Sequence, residues 1–146
     1  MSEITPLEIT YEHVPRFSPG SAKSVAYLEE HGYVVIGNAL SEMEAATAVD
    51  KLWNYLEELQ TGIDRRDPET WEDDRWPTVV HGGILPGHGI GHCDAQWYIR
   101  DIPNVKKSFS AVWDTDDLLV SFDGVSLWRP WSRNPEWKTG LGGTWL

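Results

Sequence analysis

Cysteine occurs once in the chain, at Cys93, so no internal disulfide can form and nothing calls for an oxidising compartment. Basic residues are also scarce: 12 Lys and Arg stand against 23 Asp and Glu, for a net charge of −11. A nucleic-acid surface needs clustered Lys and Arg to displace counterions from phosphates, so that class of partner is excluded. No apolar run approaches the about 20 residues that a membrane helix requires. Met1 to Pro15 has neither a basic opening nor an apolar stretch, and it carries Glu3, Glu8 and Glu12, so it does not read as a secretory signal. Internal repeats and low-complexity linkers are absent. These absences together predict a soluble, cytoplasmic protein with no nucleic-acid and no membrane partner.

What is present is enough for one domain: 146 residues, of which 40% are hydrophobic. Nine are tryptophans, which read first as core plugs and second as the walls of an aromatic pocket. Residues 1–20 form an irregular opening. Ser21 to His31 then predicts a short helix stopped by Gly32, and Tyr33-Val34-Val35-Ile36 a strand. Ser41 and Glu44 spell a capping box ahead of a stripe of Ala45, Val49, Leu52, Leu56 and Leu59, the spacing of one helix face, with Gly62 as its end. Glu57 and Glu58 fall near the C-terminus of that helix, where the macrodipole disfavours them. Asp64 to Asp74 is a polar loop or short helix. The stretch from Gly82 to Gly91 holds five glycines and reads as a flexible loop. A helix from Asp94 is predicted to end at Pro103, and Asn104 to cap another that aligns Val105, Phe109, Val112 and Trp113. Asp117 to Asp123 predicts a strand that continues past a bend at Gly124 to Arg129. Thr144-Trp145-Leu146 resembles a further strand opening, and the expectation is a sheet cut off before its partners.

One cluster has the composition of a metal site: His81, His88, His92 and Asp94. His92-Cys93-Asp94 spells H-x-D, two ligands of the 2-His-1-carboxylate triad of non-haem iron oxygenases. That triad takes its second His from a later strand, and no histidine follows His92. A zinc site from His88, His92 and Asp94 would need a helix through Gly87, Gly89 and Gly91, which glycine disfavours. The cluster is therefore read as a decoy, a loop whose histidines cap backbone groups. The same stretch lacks the phosphate-binding patterns G-x-x-x-x-G-K-[ST] and G-x-G-x-x-G between a strand and a helix. Cys93 next to His92 does not make a nucleophile and base, because adjacent side chains rarely face each other.

Three segments resemble the phytanoyl-CoA dioxygenase family, in its fungal and microbial branch. Tyr27 to Ile36 with Ala39-Leu40-Ser41 is similar to the family's helix, "hGyvvi" strand and link into a long helix. Gln96 to Val105, continuing to Phe109 and Trp113, resembles its W-x-x-R-x-x-P-x-V helix pair. Thr115 to Gly124 with Arg129-Pro130-Trp131 resembles its first jelly-roll strand. The resemblance spans Ser21 to Leu146 and places the family's His-x-Asp iron motif just beyond Leu146.

It implies an α+β fold, with N-terminal helices packed on an incomplete double-stranded β-helix (jelly-roll or cupin-like) that stops before the catalytic strands. Residues 21–146 would be the N-terminal portion of a single dioxygenase-like domain. The full-length family uses Fe(II) and 2-oxoglutarate to hydroxylate a small-molecule substrate, and this chain alone is expected to bind neither and to be inactive. Asp123, Ser126 and Trp128 would line the cavity wall, with the glycine-rich loop at the substrate mouth. Two readings of other classes stand beside this one: an acidic, Trp-rich protein-interaction module, and a small metal-binding protein using His81, His88, His92 and Asp94.

Overall fold

In the computed structural model, which describes residues 14–77, 83–130 and 132–139, helix α1 spans Ala22–His31. Ser21 caps it by accepting from the Ser24 amide at 3.2 Å. Gly32 ends it at φ 76°, its N–H reaching the Leu28 carbonyl at 2.8 Å, a left-handed cap that glycine adopts without steric cost. Strand β1 (Arg16–Phe17) pairs in parallel with β2 (Val35–Ile36), so the predicted strand is present but short. The first 13 residues lie outside the described ones, as do His81 and the Thr144-Trp145-Leu146 segment.

Helix α2 (Glu42–Glu58) forms with both arms of the capping box in place. The Ser41 amide donates to Glu44 Oε2 at 2.7 Å, and the Glu44 amide donates to Ser41 Oγ at 3.3 Å. The buried face is rotated from the predicted stripe: Ala48 and Leu56 are buried, whereas Val49 is 55% exposed. Period counting from Ala45 misses this because α2 buries only the side that meets α3 (Asp94–Asp101) and the core beneath it. The helix also ends earlier than Gly62, at Leu59, with Gln60 turning the chain at φ 54°.

The core joins Leu56 of α2 to Leu85, Ile90, Cys93, Ala95 and Leu127, with Leu52, Trp53 and Leu59 packed around it. Its deepest side chains, Leu85 and Ile90, come from the glycine-rich stretch that the sequence reads as a flexible loop. That stretch is instead ordered: β3 (Ile84–Leu85) pairs antiparallel with β4 (Val125–Ser126), and a 3-10 turn runs over Ile90–His92. Glycine serves close packing here, since a Cβ on Gly124 would meet the Leu85 carbonyl oxygen at 2.7 Å.

Pro103 does not simply stop α3; it starts α4 (Pro103–Trp113). Ile102 caps both helices in an extended conformation, and Pro103 takes the first helical position, where a missing N–H costs nothing. Asn104, the predicted cap, lies one residue inside and donates instead to the Asn38 carbonyl at 3.3 Å. The predicted strand from Asp117 to Asp123 is not formed, and regular pairing begins only at Val125. A β-prone segment becomes a strand only where a neighbour supplies ladder hydrogen bonds, and among the described residues none does so for 117–123. The described part is thus a mixture of helices and two small two-stranded sheets, consistent with the α+β class. Among the described residues no helix is long and apolar enough to cross a membrane.

Candidate functional site

Of the candidate metal donors, His88, His92 and Asp94 are described, and the fold gives each a different neighbour. His88 sits at φ 57° in an exposed turn, and its carbonyl accepts from the Tyr55 hydroxyl at 3.0 Å. The His92 ring stacks on Phe122, centroids 4.1 Å apart and planes 19° from parallel. Asp94 opens α3, where its charge suits the helix N-terminus, and stands 3.9 Å from Lys51 Nζ. Among the described residues no three His, Cys, Asp or Glu side chains come together as metal ligands. The described donors therefore do not fit an iron triad.

Each of the three candidate wall residues has its own neighbour. Asp123 is exposed and accepts from the Gly124 amide at 2.8 Å. Ser126 lies in β4 opposite Ile84. Trp128 covers Gly83, where a Cβ would come within 3.3 Å of the indole.

The apolar cavity lies elsewhere. A groove of about 650 Å³ runs between α4 and the segment after it, lined by Val105, Phe109 and Trp113 on one side and Leu118, Leu119 and Val120 on the other. The helix pattern singled out the first three; that Phe109 and Trp113 face solvent rather than core could not be read from periodicity. Leu119 is 98% exposed and Trp113 69%. Arg100 borders the groove and had no assigned role, although it is the Arg of the W-x-x-R pattern. Its guanidinium donates to the Gly91 carbonyl at 2.6 Å and the Ser121 carbonyl at 2.9 Å. It also lies over Trp97 at 5.4 Å and Phe122 at 5.7 Å. One side chain thus ties α3, the 3-10 turn and the 118–122 segment together, by charge-assisted hydrogen bonds and cation–π contact.

A second Arg organises the other large pocket, which is polar and about 600 Å³ in volume. Arg65 grips Glu57 at 2.8 to 3.1 Å through its guanidinium, while its amide donates to the same carboxylate at 2.9 Å. It also reaches Asp50 and Asn54. The side-chain and backbone hydrogen bonds from Arg65 lower the Glu57 carboxyl to about 2. The carboxylate expected to strain the C-terminus of α2 is therefore held by a partner from the following loop. Tryptophan plugs gather beside it: Trp53 and Trp71 lie 5.1 Å apart, and Arg129 sits over Trp76 at 5.4 Å and Trp137 at 5.1 Å. Arg129 also donates to the Trp71 carbonyl at 2.8 Å, so this cluster is filled by its own cation and leaves no open cage.

Two known proteins resemble the chain along most of its length. "Ava biosynthesis cluster protein O" of Aspergillus versicolor is 34% identical over 119 residues, covering 73% of this chain and 38% of the relative. "Putative phytanoyl-CoA dioxygenase" of Dictyostelium discoideum is 30% identical over 118 residues, covering 77% of this chain and 33% of the relative. The second similarity supports the family resemblance carried by the sequence motifs. The chain spans about a third of the length of each of these relatives. No protein-family model and no solved structure matches it.

Proposed function

We propose that this chain is the N-terminal part of a cytoplasmic phytanoyl-CoA dioxygenase-like enzyme, an Fe(II)- and 2-oxoglutarate-dependent oxygenase that hydroxylates a small organic substrate. The observation that carries this reading is the similarity to the Dictyostelium protein over 77% of the chain. The helix pair containing Trp97, Arg100 and Pro103 supports it from the sequence side. In this reading the four helices pack against a double-stranded β-helix, and the iron ligands and the 2-oxoglutarate-binding residue lie outside the 146 residues. The chain contributes wall: Asp123, Ser126 and Trp128 face the cavity of the assembled domain, and the glycine-rich stretch borders its mouth. By itself it turns over no 2-oxoglutarate.

The test is a chimera in which the full 146-residue chain replaces the matched part of the Dictyostelium relative. Iron-dependent release of succinate from 2-oxoglutarate is the expected result. A chimera that melts cooperatively yet releases none overturns the reading. A second reading, an acidic, Trp-rich interaction module active as it stands, is favoured by the exposed apolar side of α4, and it requires that inactive outcome.

A further inference from the structure

Three cations meet at the corner where β1 leads into α1. Arg16 lies in β1, two residues before Ser18, the spacing that puts two side chains on one side of an extended chain. Lys23 occupies the first turn of α1, which holds no acidic residue, although the positive end of the macrodipole favours an anion there. Lys107 reaches across from α4 and lays its stem on Gly20, so closely that a Cβ on Gly20 would stand 2.6 Å from Lys107 Cγ. Among the described residues none of the three enters an ion pair. That is unexpected in a chain whose acidic side chains outnumber the basic ones by 23 to 12. Two carboxylates, those of Asp114 and Asp116, line the shallow pocket that Gly20 and Lys107 share, and neither pairs with Lys107.

Ser18 opens the turn at this corner. Pro19 and Gly20 stand in its middle, and the Ser21 amide closes it on the Ser18 carbonyl at 3.2 Å. Proline suits the first central position, and Gly20, at φ 69°, meets the demand of a type II turn at the second. The backbone alone therefore holds the turn, and the exposed Ser18 hydroxyl makes no hydrogen bond among the described residues. Pro19 has no N–H to offer, which suits a kinase groove built for proline after the acceptor residue. A phosphoryl group brings about two negative charges and three acceptor oxygens, the counterpart of unpaired Lys and Arg side chains. We propose that Ser18 is a phosphorylation site for a proline-directed protein kinase, and that Arg16, Lys23 and Lys107 hold the phosphate, joining this corner to α4. Ser18 Oγ forms a bond to the γ-phosphorus of ATP, and the bond from that phosphorus to the bridging oxygen breaks. ADP leaves, and the hydroxyl proton passes to the kinase's base. Neither the site nor its cations depend on the oxygenase reading.

The test incubates the full chain with ATP and, separately, a cyclin-dependent kinase and a mitogen-activated protein kinase, and locates the phosphate by mass spectrometry. One phosphate at Ser18 is expected, absent from Ser18→Ala, whose own melting should match the parent because the hydroxyl is unbonded. Phosphorylation should raise the melting temperature by about 2–4 °C. The gain should shrink at high salt and be lost in the double variant Lys23→Gln, Lys107→Gln. The second pKa of the phosphate, read by phosphorus NMR, should fall below its usual value of about 6, because the cations favour the dianion. It should return toward that value in the double variant, and this readout needs no cooperative melt. A chain that neither kinase phosphorylates at Ser18 overturns the site, as does incorporation confined to Thr5, the other acceptor followed by proline. A phosphate on Ser18 whose pKa is unshifted, or whose presence lowers the melting temperature, overturns the role of the three cations. Inorganic phosphate that raises the melting temperature of the unmodified chain by as much also overturns it, since the corner would then be a site for a free anion.

Discussion

Glu57 shows how a single residue reverses an expectation. Near the C-terminus of α2 its charge opposes the macrodipole, yet Arg65 surrounds it with guanidinium and amide donors. The carboxyl consequently drops from 4.5 to about 2. A group with a depressed folded pKa adds stability above its unfolded value and loses it as pH falls toward the folded one. The Glu57 contribution is therefore complete above about pH 4.5 and gone near about pH 2. Solvent around the pair screens it, so the effect is modest. Glu57→Gln should lower the urea midpoint at neutral pH, with the gap to the parent closing between pH 4.5 and 2; a gap that does not change with pH would show that the pair is not what stabilises. Arg65 stands eight residues from Glu57, beyond the reach of any helical spacing rule, which is why the pair was not legible in the sequence. The same holds for His92, whose neighbour Phe122 is set by folding and not by the H-x-D spelling.

Elements were legible where their signals are local. Ser41 and Glu44 satisfy each other's backbone donors across one turn, so the start of α2 follows from four consecutive residues. Ser41→Ala should cost about 1 kcal/mol, read as a lower denaturation midpoint with an unchanged slope; an unaltered midpoint would mean the cap contributes nothing. Gly32 likewise ends α1 by a local preference. Elements that depend on a neighbour were not legible. The 117–123 segment has the residues of a strand, but a strand exists only as a pair. The order of the glycine-rich stretch is hidden for a related reason: composition suggests mobility, whereas Gly83, Gly91 and the facing Gly124 let backbones pass close enough to bury Leu85 and Ile90.

At the scale of the molecule, the described residues divide into a closed core beneath α2 and α3 and an open apolar side along α4. The metal-like residues fall on neither as a group. Asp94 faces Lys51, His92 lies against Phe122, and His88 occupies a separate turn. Calorimetric titration of the isolated chain with Mn(II), in the presence of 2-oxoglutarate, should accordingly give no stoichiometric heat. A micromolar site that disappears in His92→Ala would show that His92 and Asp94 are ligands after all.

The sequence by itself determined where the helices lie, the caps at Gly32 and Ser41, the helical face shared by Phe109 and Trp113, and the family resemblance. Each rests on residues within a few positions of one another or on motif spelling. Only the tertiary structure decided which side of α2 is buried, that the glycine-rich stretch lies in the core, and that the apolar side of α4 faces solvent. Burial is a property of what packs against a residue, and for Leu119 or Trp113 that neighbour is not encoded in the spacing of its own segment.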